Sequence, residues 1–364
     1  MQIWFRIPPV SQQVVVDRRC THCGHSKVHL HQHQRSRPIV DWKLDSIGQL
    51  RVKCPRCGGT DTRRPDGVSA GRHRTDGVVA FGVLLYALGL SYEGVAAAIR
   101  ALVRRGSKST VYRDVIAAGD KAQQLHMHRE GKAIRVMGVD GTGQKIKGGC
   151  VGVALSVDAE EQQLLGVELV EEEDEAQVRS FLERLCRQYH VEAILTDEHS
   201  SYAEATKSRK VRAEHRLCEA HWKKSKQIRI ALLRTQAQQR GYRQWVEDLE
   251  ALSGLVGDRP AGGPKQIQLI HRRYLKYRSA GPGGRWSLGY HMRMLTLHLM
   301  ETWDRLGSGG QRTNNTTERL IGLLLKIRSR TMRGFARRES IPRFVHLMGY
   351  LWENRRNCQL AAIC

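Results

Sequence analysis

A chain of 364 residues, 40% of them apolar, exceeds one ordinary domain and can bury a sizeable core in two or three units. Its 60 Lys+Arg against 36 Asp+Glu leave a formal charge of +24 spread along the whole length, which suits a phosphate backbone bound with salt-sensitive affinity. A lipid surface is disfavoured because no amphipathic membrane segment accompanies the charge, and no apolar run approaches the roughly 20 residues of a membrane span.

Polar breaks at Gln2, Arg6 and Ser11–Gln13 interrupt the stretch a signal peptide would need. Nine cysteines fall as two C-x-x-C pairs and five singles, a pattern for a reducing compartment with one metal site rather than for disulfides. A cytoplasmic, nucleoid-associated protein is expected.

Cys20-Thr-His-Cys23 and Cys54-Pro-Arg-Cys57-Gly58-Gly59 supply four thiolates, the closed tetrahedral set for structural Zn²⁺. With short strands predicted over Lys27–His33 and Asp41–Lys53, residues 15–62 read as a zinc ribbon within an N-terminal domain of residues 1–74. Two glycine-bearing knuckles fit a metal better than a reactive dithiol. His22, His25, His29, His31 and His33 are then surplus to the ligand set and read as solvating side chains.

Three helices follow in residues 75–130. The first runs over Asp76–Leu88 and stops at Gly89, the second over Ser91–Val103 with Ser91 as N-cap, and the third, after a Gly106 turn, over Ser107–Leu125. Short helices on tight glycine turns describe a helix-turn-helix, with Lys108, Ser109, Thr110, Tyr112 and Arg113 on the opening turns of the helix that would enter a major groove. An ordinary small helical bundle is the plain alternative.

From Ala133 the hydrophobic period changes. Ile134–Val139 reads as a strand ending at Asp140. Val151–Val157 and Leu164–Val170 form a hairpin around Asp158–Glu161, Asp174–Tyr189 is an amphipathic helix, and Val191–Thr196 is a strand ending at Asp197. That order opens a ribonuclease H-like fold, assigned to residues 131–221, in which the first and fourth strands lie side by side.

A helical insertion follows over residues 222–306, with breaks at Gly254–Pro264 and Ala280–Gly289. The second part of the core, residues 307–364, opens with Thr313-Asn314-Asn315-Thr316-Thr317-Glu318, rich in N-cap formers. Leu320, Leu323, Leu324 and Ile327 continue it at helical spacing, and a last basic, apolar helix spans Arg338–Asn354. The expected class is therefore α/β: a ribonuclease H-like mixed sheet core with a helical insertion, preceded by a zinc ribbon and a helix-turn-helix.

Asp140, Asp197 and Glu318 are hard oxygen donors on separate elements, the kind Mg²⁺ (or Mn²⁺) prefers, and their convergence would hold a metal pair against a phosphodiester. The plain alternatives are strand-end turn aspartates and a first-turn glutamate complementing its helix dipole. Glu301 and Asp304 are rivals to Glu318, and Glu198 is a rival to Asp197 that would leave the strand on the other face. Cys218 and His221, one helical turn apart, read equally as a buried pair or as site residues, and a second metal site is disfavoured because no further ligand pair lies close in sequence. Basic residues cluster after each carboxylate: Lys145 and Lys147; Lys223, Lys224, Lys226 and Arg229; Lys326, Arg328, Arg330, Arg333, Arg337 and Arg338. Solvated faces are the usual fate of such runs, and a DNA channel is the functional reading. Trp286 is a candidate for stacking on an unpaired base, against the commoner fate of a core tryptophan.

Over most of its length the chain resembles a DDE transposase of a prokaryotic insertion sequence. Gly138-Val139-Asp140-Gly141-Thr142, Leu195-Thr196-Asp197 and Thr313-Asn314-Asn315…Glu318-Arg319 match the three catalytic blocks, and Cys218-Glu219-Ala220-His221 matches the C-x-x-H motif of Mutator-like elements. The resemblance implies that Asp140 bridges two Mg²⁺ ions, Asp197 and Glu318 each bind one, and His221 donates to the scissile phosphate. It also implies double-stranded DNA partners, transposon terminal inverted repeats and target, and a homodimer or higher homo-oligomer. Two other functions stay open: a ribonuclease H-like nuclease without strand transfer, and a domesticated DNA-binding regulator without catalysis.

Overall fold

The structure, a computed structural model, describes residues 10, 11, 14, 18–127, 131–171, 174–277, 287–306, 312–332 and 334–364. It divides into two compact units, one made of Met1–Arg129, Gly143–Val151 and Leu320–Cys364, the other of Glu130–Thr142 and Gly152–Arg319.

The first unit opens with an antiparallel three-stranded sheet, β1 (His29–Pro38), β2 (Ser46–Lys53) and β3 (Thr60–Arg63), in that order. Its apolar content is small, with Ile39, Ile47 and Val68 as the buried cluster. Helix α1 (Asp76–Ala87) is capped by Thr75 and buries residues around most of its circumference, including Val78, Val79, Val83, Leu84 and Tyr86, so it is the central helix of its group. Helix α2 (Tyr92–Val103) is capped by Ser91, whose hydroxyl accepts the Gly94 amide at 3.0 Å, and α3 spans Lys108–Met127. All three fall where caps and glycines predicted them. Gly89 turns with φ +107°, and a side chain there would also crowd Thr331.

The second unit is built on a five-stranded mixed sheet. The sheet's strands and their helices are β4 (Ala133–Ile146) and β5 (Gly149–Asp158), of which residues 143–151 count in the first unit, then β6 (Gln163–Glu168), α4 (Glu175–Gln188), β7 (His190–Thr196), α5 (Ser200–Ala205) and β8 (Glu214–Leu217), and the strand order is β6-β5-β4-β7-β8. β4 pairs with β7 and β7 with β8 in parallel, while β5 and β6 are antiparallel. Phe181, Leu182 and Leu185 of α4 pack on Ile134, Met137, Val139, Leu165 and Ile194. At a boundary of order 25 cal/mol per Å² of apolar area, this face is what holds α4 to the sheet.

Two expectations are corrected here. β4 does not stop at Asp140 but runs on to Ile146, and β8 and α5 were not foreseen. β8 reads Glu-His-Arg-Leu and pairs on one side only, so an edge strand of four residues left no apolar alternation to find.

Helices α6 (Glu219–Gln239), α7 (Arg243–Asp258), α8 (Gly263–Tyr274) and α9 (Leu288–Trp303) follow, with no strand among the described residues. They share a core of Trp222, Leu249, Leu252, Ile267, Met292, Leu295 and Leu299. Gly254 and Gly257 lie inside α7, so the expected break at Gly254–Pro264 shrinks to the few residues after Asp258, where Arg259 takes the left-handed cap conformation at φ +50°.

The chain then forms α10 (Asn315–Ile321), a π-helical turn (Gly322–Lys326), α11 (Ile327–Met332) and α12 (Ser340–Glu353). Within the first unit α12 packs along α3, burying Ile341, Phe344, Val345, Leu347, Met348 and Leu351. That apolar face explains why residues 320–364 cluster with the N-terminal helices. No helix among the described residues is long and apolar enough to cross a membrane.

Candidate active site

The four ribbon cysteines converge. Sγ of Cys20 lies 3.7 Å from that of Cys57, Sγ of Cys23 lies 3.7 Å from that of Cys54, and all four sulfurs sit within 4.8 Å of one another. Tetrahedral Zn²⁺ with bonds of about 2.3 Å places its sulfurs about 3.8 Å apart, so this donor set fits a structural zinc. Each knuckle turns on a glycine, Gly24 at φ +70° and Gly58 at φ +71°, whose amides donate to the carbonyls of Cys20 and Cys54 at 3.0 Å. The backbone amide of Cys23 pulls the Cys20 thiol down to about 6. His22, His29 and His31 are exposed and His25 half-buried; the side chain of His33 lies outside the described residues.

In the second unit, Gly138 of β4 is in parallel register with Leu195 of β7. Two residues further along the chain stand Asp140, within β4, and Asp197, just past the end of β7, both half-buried. Asp197 Oδ1 accepts the His199 amide at 3.1 Å, which fixes its side chain at the turn into α5. Behind it, Thr196 Oγ1 donates to the Asp197 carbonyl at 2.7 Å and meets His215 Nε2 at 2.9 Å. Burial, helped by Arg305, lowers His215 to about 4.

Glu318 sits one turn into α10, exposed, and its Oε1 lies 3.4 Å from His221 Nε2. Cys218 Sγ, a His221 ring nitrogen and a Glu318 oxygen lie within 4.8 Å of one another, while neither aspartate belongs to that group. The structure therefore pairs the strands that lead to Asp140 and Asp197 as far as Gly138 and Leu195, and brings Glu318 next to the C-x-x-H pair.

Asn314 joins these elements. Its side-chain amide donates to the Val139 carbonyl at 3.0 Å, its backbone amide donates to Cys218 Sγ at 3.2 Å, and its carbonyl accepts the Glu318 amide at 3.0 Å. The Glu219 amide, at the start of α6, donates to the Arg312 carbonyl at 2.9 Å. Thr317 and Asn314 press so closely on Gly138 that a Cβ there would overlap Thr317 Oγ1 and stand 2.7 Å from Asn314 Oδ1. His221 Nδ1, Asn314 Oδ1 and Thr317 Oγ1 are buried without a hydrogen-bond partner. Sequence reasoning read Thr317 only as a cap former, Asn314 as a cap former within a motif, and Gly138 only as part of a motif; the small residue two before Asp140 was the available signal.

The rival carboxylate Glu198 is spoken for. Lys226 Nζ lies 2.7 Å and His298 Nε2 3.1 Å from Glu198 Oε1. Burial would raise this carboxyl, but the hydrogen bonds from His298 and Lys226 hold it below the usual range. Lys226 is accordingly a buried ion-pair partner rather than a surface cation.

Of the expected DNA contacts, Lys108, Ser109, Arg113, Lys224, Lys326 and Arg330 are exposed, and Thr110, Tyr112 and Lys223 are half-buried. Lys223 pairs with Glu219 at 2.9 Å, and Tyr112 stands edge-on to Tyr92 with centroids 5.3 Å apart. Arg328 is the exception. It is 6% exposed, with its guanidinium 4.3 Å from the Tyr86 ring centroid, 5.5 Å from Phe335 and 5.6 Å from Phe344, so it is a core cation held by ring faces and not a phosphate contact. Trp286 lies outside the described residues.

No curated protein matches the chain. Residues 44–238 match the family described as transposase, Mutator family. The matched span begins within the ribbon domain and contains Asp140, Asp197, Cys218 and His221; Glu318 lies beyond it. With more than half its length under that match, the chain belongs to the Mutator family of transposases.

Proposed function

We propose that the protein is a DDE transposase that binds terminal inverted repeats and cuts and joins DNA with two divalent ions. The observation that carries this reading is the parallel pairing of β4 and β7 up to Gly138 and Leu195, the two strands that lead to Asp140 and Asp197. A crevice at strand carboxyl ends is the usual ligand position in such sheets. The strand order β6-β5-β4-β7-β8, three strands in sequence followed by two parallel additions, supports a ribonuclease H-like core.

Asp140, Asp197 and Glu318 would hold the ions, Asp140 serving both. Bound there, Mg²⁺ or Mn²⁺ supplies an activated water or 3′-hydroxyl and stabilises the leaving oxygen. The protein's own part is placement. Asn314 ties the Glu318 turn to the strand of Asp140, and Gly138 lets that turn approach. His221, half-buried beside Glu318, donates a hydrogen bond to the phosphate, and Lys224 screens its charge; Lys326 and Arg330, in the first unit, are further DNA contacts. Lys108, Ser109, Thr110, Tyr112 and Arg113 on α3 read the terminal repeat, aided by the zinc ribbon. A homo-oligomer in the cytoplasm, associated with the nucleoid, completes the proposal.

The test is incubation of the protein with terminal-repeat DNA and Mg²⁺ beside Asp140→Ala. Metal-dependent cleavage with joined product, lost in the variant, is the expected result. Cleavage without joining would reassign the protein as a nuclease, and tight binding without cleavage in either sample would make it a regulator.

A further inference from the structure

The companions the structure gives Glu318 differ in kind from the aspartates with which the proposed function pairs it. Cys218 contributes a sulfur, His221 an imidazole and Glu318 an oxygen, all within 4.8 Å of one another. Cys218 is fully buried at the N-cap of α6, where the Asn314 amide donates to its sulfur at 3.2 Å, the backbone-to-sulfur bond that steadies a metal thiolate. His221 keeps a buried Nδ1 without a hydrogen-bond partner and turns Nε2 toward Glu318.

We infer that Cys218, His221 and Glu318 form a site for a borderline-soft divalent cation, Zn²⁺ foremost, distinct from the ribbon, that withdraws Glu318 from the aspartates. One thiolate, one imidazole and one carboxylate are a donor set for Zn²⁺, with a fourth position left to water. Mg²⁺ shuns sulfur and nitrogen, so the two ions compete for Glu318 through different partners. Binding displaces the Cys218 thiol proton to solvent, and thiolate and carboxylate together balance the ion's two charges. The site rests on geometry alone; the inhibition it causes rests on the proposed function.

The experiment counts zinc in full-length protein after equilibrium dialysis against micromolar Zn²⁺. Two ions per chain are expected in the wild type and one in Cys218→Ser, in which serine keeps an acceptor for the Asn314 amide. His221→Gln, altered at a half-exposed side chain, should also bind one, which guards against a misfolded serine variant. Zinc beyond the ribbon equivalent should slow wild-type cleavage in Mg²⁺ at least tenfold. Cys218→Ser, normalised to its own zinc-free rate, should slow less than twofold. One zinc in the wild type, or two in both variants, overturns the site while leaving the transposase reading intact. A second zinc lost in both variants, with no cleavage at any zinc level, upholds the site and overturns that reading instead.

Discussion

Asn314 donates its side-chain amide to the carbonyl of Val139 at 3.0 Å, and Val139 immediately precedes Asp140. The same residue's backbone amide reaches Cys218, three before His221, and its carbonyl receives the Glu318 amide. One buried asparagine thus ties together three segments, reaching across 175 positions from Val139 to Asn314.

Asn314→Ala leaves the Val139 carbonyl without that donor in a buried seam, a loss of about 1–3 kcal/mol. Chemical denaturation should report that loss, and Mg²⁺-dependent cleavage should fall at least tenfold. Asn315→Ala, one residue along and exposed, should do neither. Equal cleavage by the two variants would remove Asn314 from the positioning role.

Gly138→Ala forces a methyl against Thr317 Oγ1 and to 2.7 Å from Asn314 Oδ1. Overpacking of this kind costs about 1–3 kcal/mol. Adding Thr317→Ala removes the nearer obstacle, so the double variant should melt above Gly138→Ala alone. Strictly additive destabilisation would show that the two residues do not meet.

Arg328→Met should lower stability by about 1–3 kcal/mol, because three rings lose their cation, yet leave the salt dependence of DNA binding unchanged. Lys108→Ala should do the reverse, reducing the slope of log affinity against log salt by about 1 with little effect on melting. A changed salt slope in the arginine variant would return Arg328 to the DNA surface.

His215 links stability to acid. Its folded value near 4 lies below the 6.5 of the free side chain, so the unfolded chain takes up the proton first as pH falls. The stabilising contribution is therefore complete above 6.5 and drains away toward 4, by about 2 to 3 kcal/mol at most between pH 7 and 4.5. Urea titrations at those two pH values should show the loss in the wild type and a reduced loss in His215→Gln. An identical pH slope in both proteins would exclude His215 as its source.

Chelation of the ribbon, or Cys54→Ser, should unfold β1 to β3 because only a few apolar side chains support them. Circular dichroism should lose strand signal while the helical signal remains, and affinity for terminal-repeat DNA should drop. Unaltered affinity after complete zinc removal would give the ribbon another task.

Local rules carried the helices. Ser91 caps as expected and Gly89 and Gly106 punctuate as expected, and the structure adds Thr75 and Asp174 as caps of the same kind, because caps and turns are decided within a few residues. The β4 and β7 pairing was legible too, since both are apolar runs separated by a hairpin and a helix.

Arg328 and Lys226 show where such reading ends. Each stands in a basic run indistinguishable from a solvated face, and each is buried because rings or a carboxylate arrive from remote segments. The amino-acid order by itself determined the caps, the strand pairing, the cysteine set and the candidate carboxylates, all of them short-range or pattern properties. Tertiary packing alone decided which cations are interior, that Asn314 and Gly138 meet across the seam, and that Glu318 faces Cys218 and His221, since contacts between distant segments leave no periodic trace in either partner.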